Sequence, residues 1–471
     1  MIFELVRWSE ADRIALLTED GSTVTYGQLQ ADIFTLARHL PLGRLVFLLG
    51  QNDRATLTAY LACLESGAVP LLLNQSMSAP ALAQLAQVYE PDYVFACTEQ
   101  VAWPGSYEVS QAFEEYTLFK RSYISHEALH PALAVLLATS GTTGSPKLVR
   151  LSRQNLCANA HAIVSYLNIS ANDRAITSLP FNYSYGLSII NSHLSVGAAI
   201  SLTNKSFFDA AFWTQLKSHG VTSLAGVPYS YEILLKLQLE RMDLPSVHTM
   251  TQAGGPLALP TAAKIQAICR AKGQRFFAMY GQTEATARIA YLPPEALEAK
   301  AGSIGRAIPG GELWLEDDAG QRIEASDQVG EMVYRGENVA LGYAECRADL
   351  ECGDVWGGVL RTGDLARRDE DGFYFIEGRL HRFLKIFGVR VSLDAIETWF
   401  SQRSMLAAAY GKDNALRVVL EADLDVDIKV LTTQLAEDLT IHPSAMKLSA
   451  LTQLPRLSSG KVDYSCLQTM K

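Results

Sequence analysis

The sequence predicts an α/β fold in which doubly wound sheets build a large N-terminal domain, residues 1–380, with a small β subdomain. A smaller α+β domain follows over residues 381–471. Three observations lead there. Short apolar runs alternate with helix-period segments through residues 1–130, the spacing of strand–helix–strand units in a largely parallel sheet. Residues 312–335 alternate apolar and polar side chains around Asp317-Asp318-Ala319-Gly320, which reads as a hairpin. After about residue 380 a fresh set of short strands and helices begins.

The elements follow in order. Residues 28–40 have the period of an amphipathic helix, 45–49 form a buried strand, 56–67 a helix and 69–73 a strand. A helix over 79–89 and a strand over 93–96 complete this region. The apolar run 132–138 and the alternating run 148–151 read as two strands, with the stretch between them as their loop. Ser152-Arg153-Gln154-Asn155 is a helix start, with a cap ahead of helical spacing over 156–167. Residues 187–202, broken by Asn191, Ser192, His193 and Ser195, read as a buried helix and strand. A buried strand over 221–227 and a helix after Pro228 come next. In the smaller domain, 383–391 is a strand and turn, 394–401 a helix, 417–421 a strand and 427–439 a helix.

With 471 residues, of which 48% are hydrophobic and 19% charged, the chain can bury a large core. A formal net charge of −10 argues against nonspecific nucleic-acid binding, which needs excess Lys and Arg. The seven cysteines form no CxxC pair, a pattern of reduced thiols, and the start Met1-Ile2-Phe3-Glu4 lacks the basic and apolar runs of a signal peptide. No apolar run reaches the roughly 18 residues of a membrane span. A cytoplasmic protein without membrane partners is the expectation.

The loop between residues 138 and 148 carries the most chemistry. Thr139-Ser140-Gly141-Thr142-Thr143-Gly144-Ser145-Pro146-Lys147 offers glycines that let backbone N–H groups approach a phosphate, hydroxyl donors, and the ammonium of Lys147. It lacks the contiguous Gly-Lys-Ser/Thr of the common nucleotide loop. A flexible surface turn is the alternative. Phe276-Phe277-Ala278-Met279-Tyr280-Gly281-Gln282-Thr283-Glu284 places an aromatic, a hydroxyl and a hard oxygen ligand side by side. Further along stand Thr251-Gln252-Ala253-Gly254-Gly255-Pro256, Arg361-Thr362-Gly363-Asp364, Gly378-Arg379 and Pro455-Arg456-Leu457-Ser458-Ser459-Gly460-Lys461. The aromatic run Phe181-Asn182-Tyr183-Ser184-Tyr185-Gly186 can line a pocket, with a core cluster as the alternative; taken singly, Asp364 and Arg379 are a structural ion pair and Lys461 is an exposed tail residue.

Together and in this order, these strings resemble the acyl-adenylate-forming superfamily of acyl-CoA synthetases, nonribosomal peptide adenylation domains and luciferases. The resemblance runs from Thr25 to Lys461 and implies ATP-dependent activation of a carboxylic acid. An acyl-AMP intermediate would then pass to coenzyme A or to a carrier protein's phosphopantetheine, with Mg²⁺ as the metal. It implies that the loop Thr139, Ser140, Gly141, Thr142, Thr143, Gly144 and Lys147 holds the phosphates. Gly254, Gly255, Pro256, Tyr280 and Gly281 would hold adenine, and Asp364 and Arg379 the ribose. Thr283, Glu284 (also the metal ligand) and Lys461 would be catalytic, with Lys461 on a mobile lid.

Tyr183 then gates the acid, with Ser184, Met279 and Gly281 beside it. Gly388 lines the thiol tunnel and His381 is the hinge. The chain departs from the pattern at Leu148, where glycine is usual, and at His381 and Arg382, where Asp or Lys and an acidic residue are usual. Ser184 stands where amino-acid-activating relatives have aspartate, so an acid without an α-amino group is expected. Met279 replaces a glycine that opens the acyl tunnel in long-chain ligases. It is expected to fill the channel without fixing a rigid floor, favouring a short acyl or single-ring acid. A stand-alone amino-acid adenylation protein and a catalytically silent nucleotide-binding regulator are the competing readings.

Overall fold

The computed structural model describes residues 10–98, 107–123, 128–138, 147–380, 382–387, 389–403, 405–422, 427–439, 441–457 and 460–470. The sequence-predicted residues Thr139, Ser140, Gly141, Thr142, Thr143, Gly144, His381 and Gly388 lie outside them.

Two large sheets share one helical layer. In the first, Arg275–Tyr280, Thr249–Gln252, Ser223–Gly226, Arg174–Ile176, Ala199–Ser201 and Ile14–Leu17 run parallel. Antiparallel strands flank them at both edges, Ala290–Leu292 and Arg306–Ala307 on one side and Thr23–Thr25 on the other. In the second sheet Leu133–Ala138, Val69–Asn74, Leu45–Gly50 and Tyr93–Cys97 are parallel. The pair Tyr107–Phe113 and Tyr116–Arg121 and, at the opposite edge, Leu148–Ser152 and Gly342–Ala344 are antiparallel additions. The sheet predicted as largely parallel is therefore parallel only in its middle. Strands buried on both faces must be covered by helices, whereas an edge can take a hairpin return.

Helix Arg54–Ser66 is buried over ten consecutive residues, Ala55 to Leu64, which marks it as the centre of the shared layer. It packs with Tyr26–Ala37, Arg153–Leu167 and Ser184–Leu194 in one apolar cluster with strands of both sheets. Local chemistry sets the helix starts. Thr25 and Ser152 each close a capping box with Gln28 and Asn155.

Glu312–Glu316 and Gly330–Arg335 form the expected hairpin, extended by Val359–Arg368 and Tyr374–Arg379 into a four-stranded antiparallel sheet. Beyond Arg379, Phe383–Ile386 pairs with Val389–Ser392, and Leu406–Lys412, Ala415–Glu421 and Met446–Leu451 form a three-stranded sheet. Helices Leu393–Ser401 and Ile428–Asp438 share a core with these strands. Arg382 is clamped into this lobe. Its Nη2 is 2.7 Å from Glu397 Oε1 and it also bonds Asp394, Tyr464 and the Ala409 carbonyl. The basic residue that breaks the family pattern is thus held within the smaller lobe.

Candidate active site

The site lies where parallel strands end, the general location of ligands in open α/β sheets. Arg275–Tyr280 delivers Met279, Tyr280 and Gly281. Thr249–Gln252 delivers Gly254 and Gly255, and the turn into helix Ser184–Leu194 delivers Tyr183 and Ser184. Each tight approach has a physical reason. Gly254 has φ +90° and a Cβ there would stand 2.5 Å from the Tyr183 hydroxyl. A Cβ on Gly281 would lie 1.7 Å from the Ala287 carbonyl. Gln252 Nε2 donates to the Gly255 carbonyl at 2.8 Å and fixes the loop before exposed Pro256.

Tyr280, Gln282, Asp364 and Arg379 form one polar network. The Tyr280 hydroxyl donates to the buried Asp364 carboxylate. Gln282 Nε2 donates to the same oxygen at 3.0 Å, and Arg379 Nε donates to the other at 3.1 Å. Burial holds the Asp364 carboxyl above the usual carboxylate range, with Arg379, Tyr280 and Gln282 opposing. The antiparallel pairing that sets Asp364 opposite Arg379 accounts for the meeting of two strings 15 residues apart.

Next to this network, Thr283 Oγ1 is 3.2 Å from Ser184 Oγ. That contact joins the end of the strand Arg275–Tyr280 to the start of helix Ser184–Leu194. Glu284 accepts a 2.8 Å hydrogen bond from Tyr343, whose ring lies 3.7 Å from the Lys147 ammonium. Lys147 also stands 3.7 Å from Glu345. Tyr343, a site residue that sequence reasoning passed over, reaches Glu284 because Gly342–Ala344 pairs beside Leu148–Ser152, with Tyr343 opposite Val149. Leu148 is fully buried, so the departure from glycine there strengthens a strand. No group of three or more His, Cys, Asp or Glu side chains gathers among the described residues. Glu284 offers a hard carboxylate oxygen of the kind that suits magnesium.

Lys461 enters from the smaller lobe, its ammonium 5.6 Å from the centre of the Tyr183 ring. Burial lowers its pKa, Arg379 lowers it further, and Glu284 and Asp364 oppose. The loop is seated by close contacts. A Cβ on Gly460, at φ +79°, would meet Val227 at 2.6 Å. Arg456 packs 4.0 Å over the Tyr229 ring and pairs with Glu421 at 3.2 Å, and Gln453 donates to the Tyr229 hydroxyl at 2.9 Å.

One wall of the site is aromatic. Tyr183, Tyr185, Tyr166 and Phe277 surround Met279 in one cluster with Ala253 and Val227. Burial pushes the Tyr183 and Tyr166 phenols up to about 12. The expectation of a yielding methionine needs correction. Met279 Sδ accepts a 3.0 Å hydrogen bond from Tyr166, which is itself stacked on Tyr291 at 4.2 Å, so the thioether is pinned from two strands and a helix. Among the described residues no helix is long and apolar enough to cross a membrane.

Comparison with known proteins agrees with this geometry. The model of the AMP-binding enzyme family matches residues 6–344. A 2-succinylbenzoate–CoA ligase of Bacillus subtilis is 29% identical, covering 96% of this chain and 94% of the relative. An indoleacetate–CoA ligase of Aromatoleum aromaticum is 28% identical, over 93% and 91%. The structure of O-succinylbenzoate coenzyme A synthetase from Bacillus subtilis with ATP and magnesium ion superposes with a TM-score of 0.77 at 25% identity, over 96% and 95% of the two chains. The chain belongs to the AMP-binding enzyme family and is an ATP-dependent, AMP-forming acid–thiol ligase.

Proposed function

We propose that the chain activates a small aromatic carboxylic acid without an α-amino group and transfers it to coenzyme A. The observation that carries this is the acid-side wall of Tyr166, Tyr183, Tyr185 and Phe277 closed by a pinned Met279. Flat rings stack on such walls, while a fixed thioether leaves no channel for a long chain. Ser184 puts a neutral hydroxyl where an ammonium would need a carboxylate, and an unpaired buried ammonium costs several kcal/mol. The curated relatives act on aromatic acids, 2-succinylbenzoate and indoleacetate.

Residue roles follow from position. The Gly254–Gly255–Pro256 loop and Tyr280 embrace adenine, and Asp364 with Arg379 takes the ribose hydroxyls. Lys147 and the loop from Thr139 to Gly144 hold the phosphates. Thr283 donates to the α-phosphate as the acid's oxygen attacks in line and pyrophosphate departs, and Lys461 neutralises charge that develops between them. Glu284, oriented by Tyr343, would hold the magnesium ion, which supplies charge neutralisation on the phosphates when bound. In the second half-reaction the thiol displaces AMP after the smaller lobe turns about His381, bringing Gly388 to the thiol path.

Pyrophosphate exchange with a panel of aromatic, aliphatic and amino acids tests the first half, and trapping the adenylate with coenzyme A or pantetheinylated carrier protein tests the second. Exchange is expected with single-ring acids and product with coenzyme A. Preference for a proteinogenic amino acid, or for acids of twelve or more carbons, overturns the reading of the pocket. Transfer to the carrier protein alone replaces the acceptor.

A further inference from the structure

Arg288 is 3% exposed, yet among the described residues no carboxylate pairs with its guanidinium and its Nε has no hydrogen-bond partner; the phenol of Tyr166 is the polar group beside it. It lies 4.0 Å over the Tyr185 ring, and its charge also acts on the phenols of Tyr166 and Tyr183. These are the three tyrosines of the acid side. Arg288 also lines a cavity with Ser188, Ser192, His193, Ser223 and Thr251. The carboxylate on that cavity wall, Asp173, is occupied by Ser170 at 2.7 Å, Thr222 at 3.0 Å and His248 at 3.0 Å. The backbone carbonyl of Arg288 is held by Asn159 and Asn338, so the residue's place on the cavity wall is fixed.

A buried charge is normally paired, because removing it from water is costly, and an aromatic face recovers only part of that cost. The guanidinium offers a planar fork of donors whose natural complement is a carboxylate. None of the described residues supplies one. We propose that the substrate does: Arg288 pairs with a second anionic group, a carboxylate, on the acid being activated, and so selects dicarboxylic acids. This rests on the acid-side assignment above. The reacting carboxylate faces Thr283 and Lys461, and the second one sits against Arg288. The hydroxyls of Ser188, Ser192 and Ser223 on the same cavity wall are taken up by the Tyr185 carbonyl, the Ile189 carbonyl and His193, which leaves Arg288 as the group that answers the second carboxylate.

The test compares pairs of acids that differ only by a carboxylate: butanoate with succinate, hexanoate with adipate, 2-methylbenzoate with phthalate, and 4-oxo-4-phenylbutanoate with 2-succinylbenzoate. Pyrophosphate exchange by the full chain gives kcat/KM for each. In at least one pair the dicarboxylate is expected to win by about a hundredfold or more, since breaking a buried charge pair is strongly unfavourable. In Arg288→Met that ratio should fall to about one or below, while the KM for ATP stays put. Arg288→Lys, which keeps the charge but loses the fork, should retain part of it. The proposal is overturned if the monocarboxylate wins every pair in the wild type, a result that needs no variant to fold. A ratio unchanged in Arg288→Met overturns it equally. Exchange with monocarboxylates alone leaves the aromatic-acid reading standing, whereas no exchange with any acid sinks both.

Discussion

Lys461 is a cation placed among groups that disagree about it. Burial and Arg379 depress its pKa while Glu284 and Asp364 hold it charged. The ammonium is the form that can neutralise a pentavalent phosphorus, and it exists below the folded-state pKa. A lowered value therefore brings the alkaline limb of kcat/KM for adenylation below the 10.5 of an ordinary lysine, and activity falls as pH rises through it. Lys461→Arg should move that limb upward. Lys461→Ala should slow adenylate formation at least a hundredfold, the size of losing one donor aimed at developing charge. Thioester formation from synthetic acyl-AMP should change less than about fivefold. Equal loss in both halves would make the residue a support of the fold.

Among elements, the turn after the strand Thr249–Gln252 and the start of helix Ser184–Leu194 constrain each other. Gly254→Ala forces a side chain into a left-handed backbone and against the Tyr183 hydroxyl, for about 1–2 kcal/mol. Because Tyr183 stands at the acid side, the acid's KM is expected to rise about tenfold in exchange assays. A KM unchanged for the acid would separate this loop from the gate. At this scale the sequence is a good guide where signals are local. The helix at Ala79–Tyr89, the strands on either side of residues 139–147 and the capping box at Ser152 were legible from periodicity and cap chemistry. The strands Ile14–Leu17 and Tyr107–Phe113 were not, since one is four residues long and the other is an edge strand with no buried residue. Within the site, the strings that carry Tyr280, Thr283, Glu284, Asp364 and Lys461 were readable, while Tyr343, Tyr166 and Arg288 were not. Their roles arise from pairings across 59, 113 and 103 residues, to Glu284, Met279 and Tyr185 respectively, which no local pattern encodes.

For the whole molecule, Tyr229 is one point where the lobes meet. Tyr229 takes the Arg456 guanidinium on its face and the Gln453 amide on its hydroxyl. Tyr229→Ala removes one cation–π contact and one hydrogen bond, together about 2 kcal/mol of docking. Exchange should slow by up to about thirtyfold, with thioester formation from synthetic acyl-AMP nearly unchanged. If both halves slow together, Tyr229 supports its own helix, Pro228–Lys236, and not the docked lobe.

The seating of Gly460 on Val227 has a further meaning for direction. Adenylation is reversible only while pyrophosphate, the adenylate and the Lys461 ammonium share one space. Lifting Gly460 off Val227 withdraws Lys461 in the same movement, because the two residues are adjacent. The back reaction thus loses its cation at the moment the lobe departs. If the lobe lifts, one displacement removes both the seat and the cation, and the back reaction waits until the loop returns to Val227.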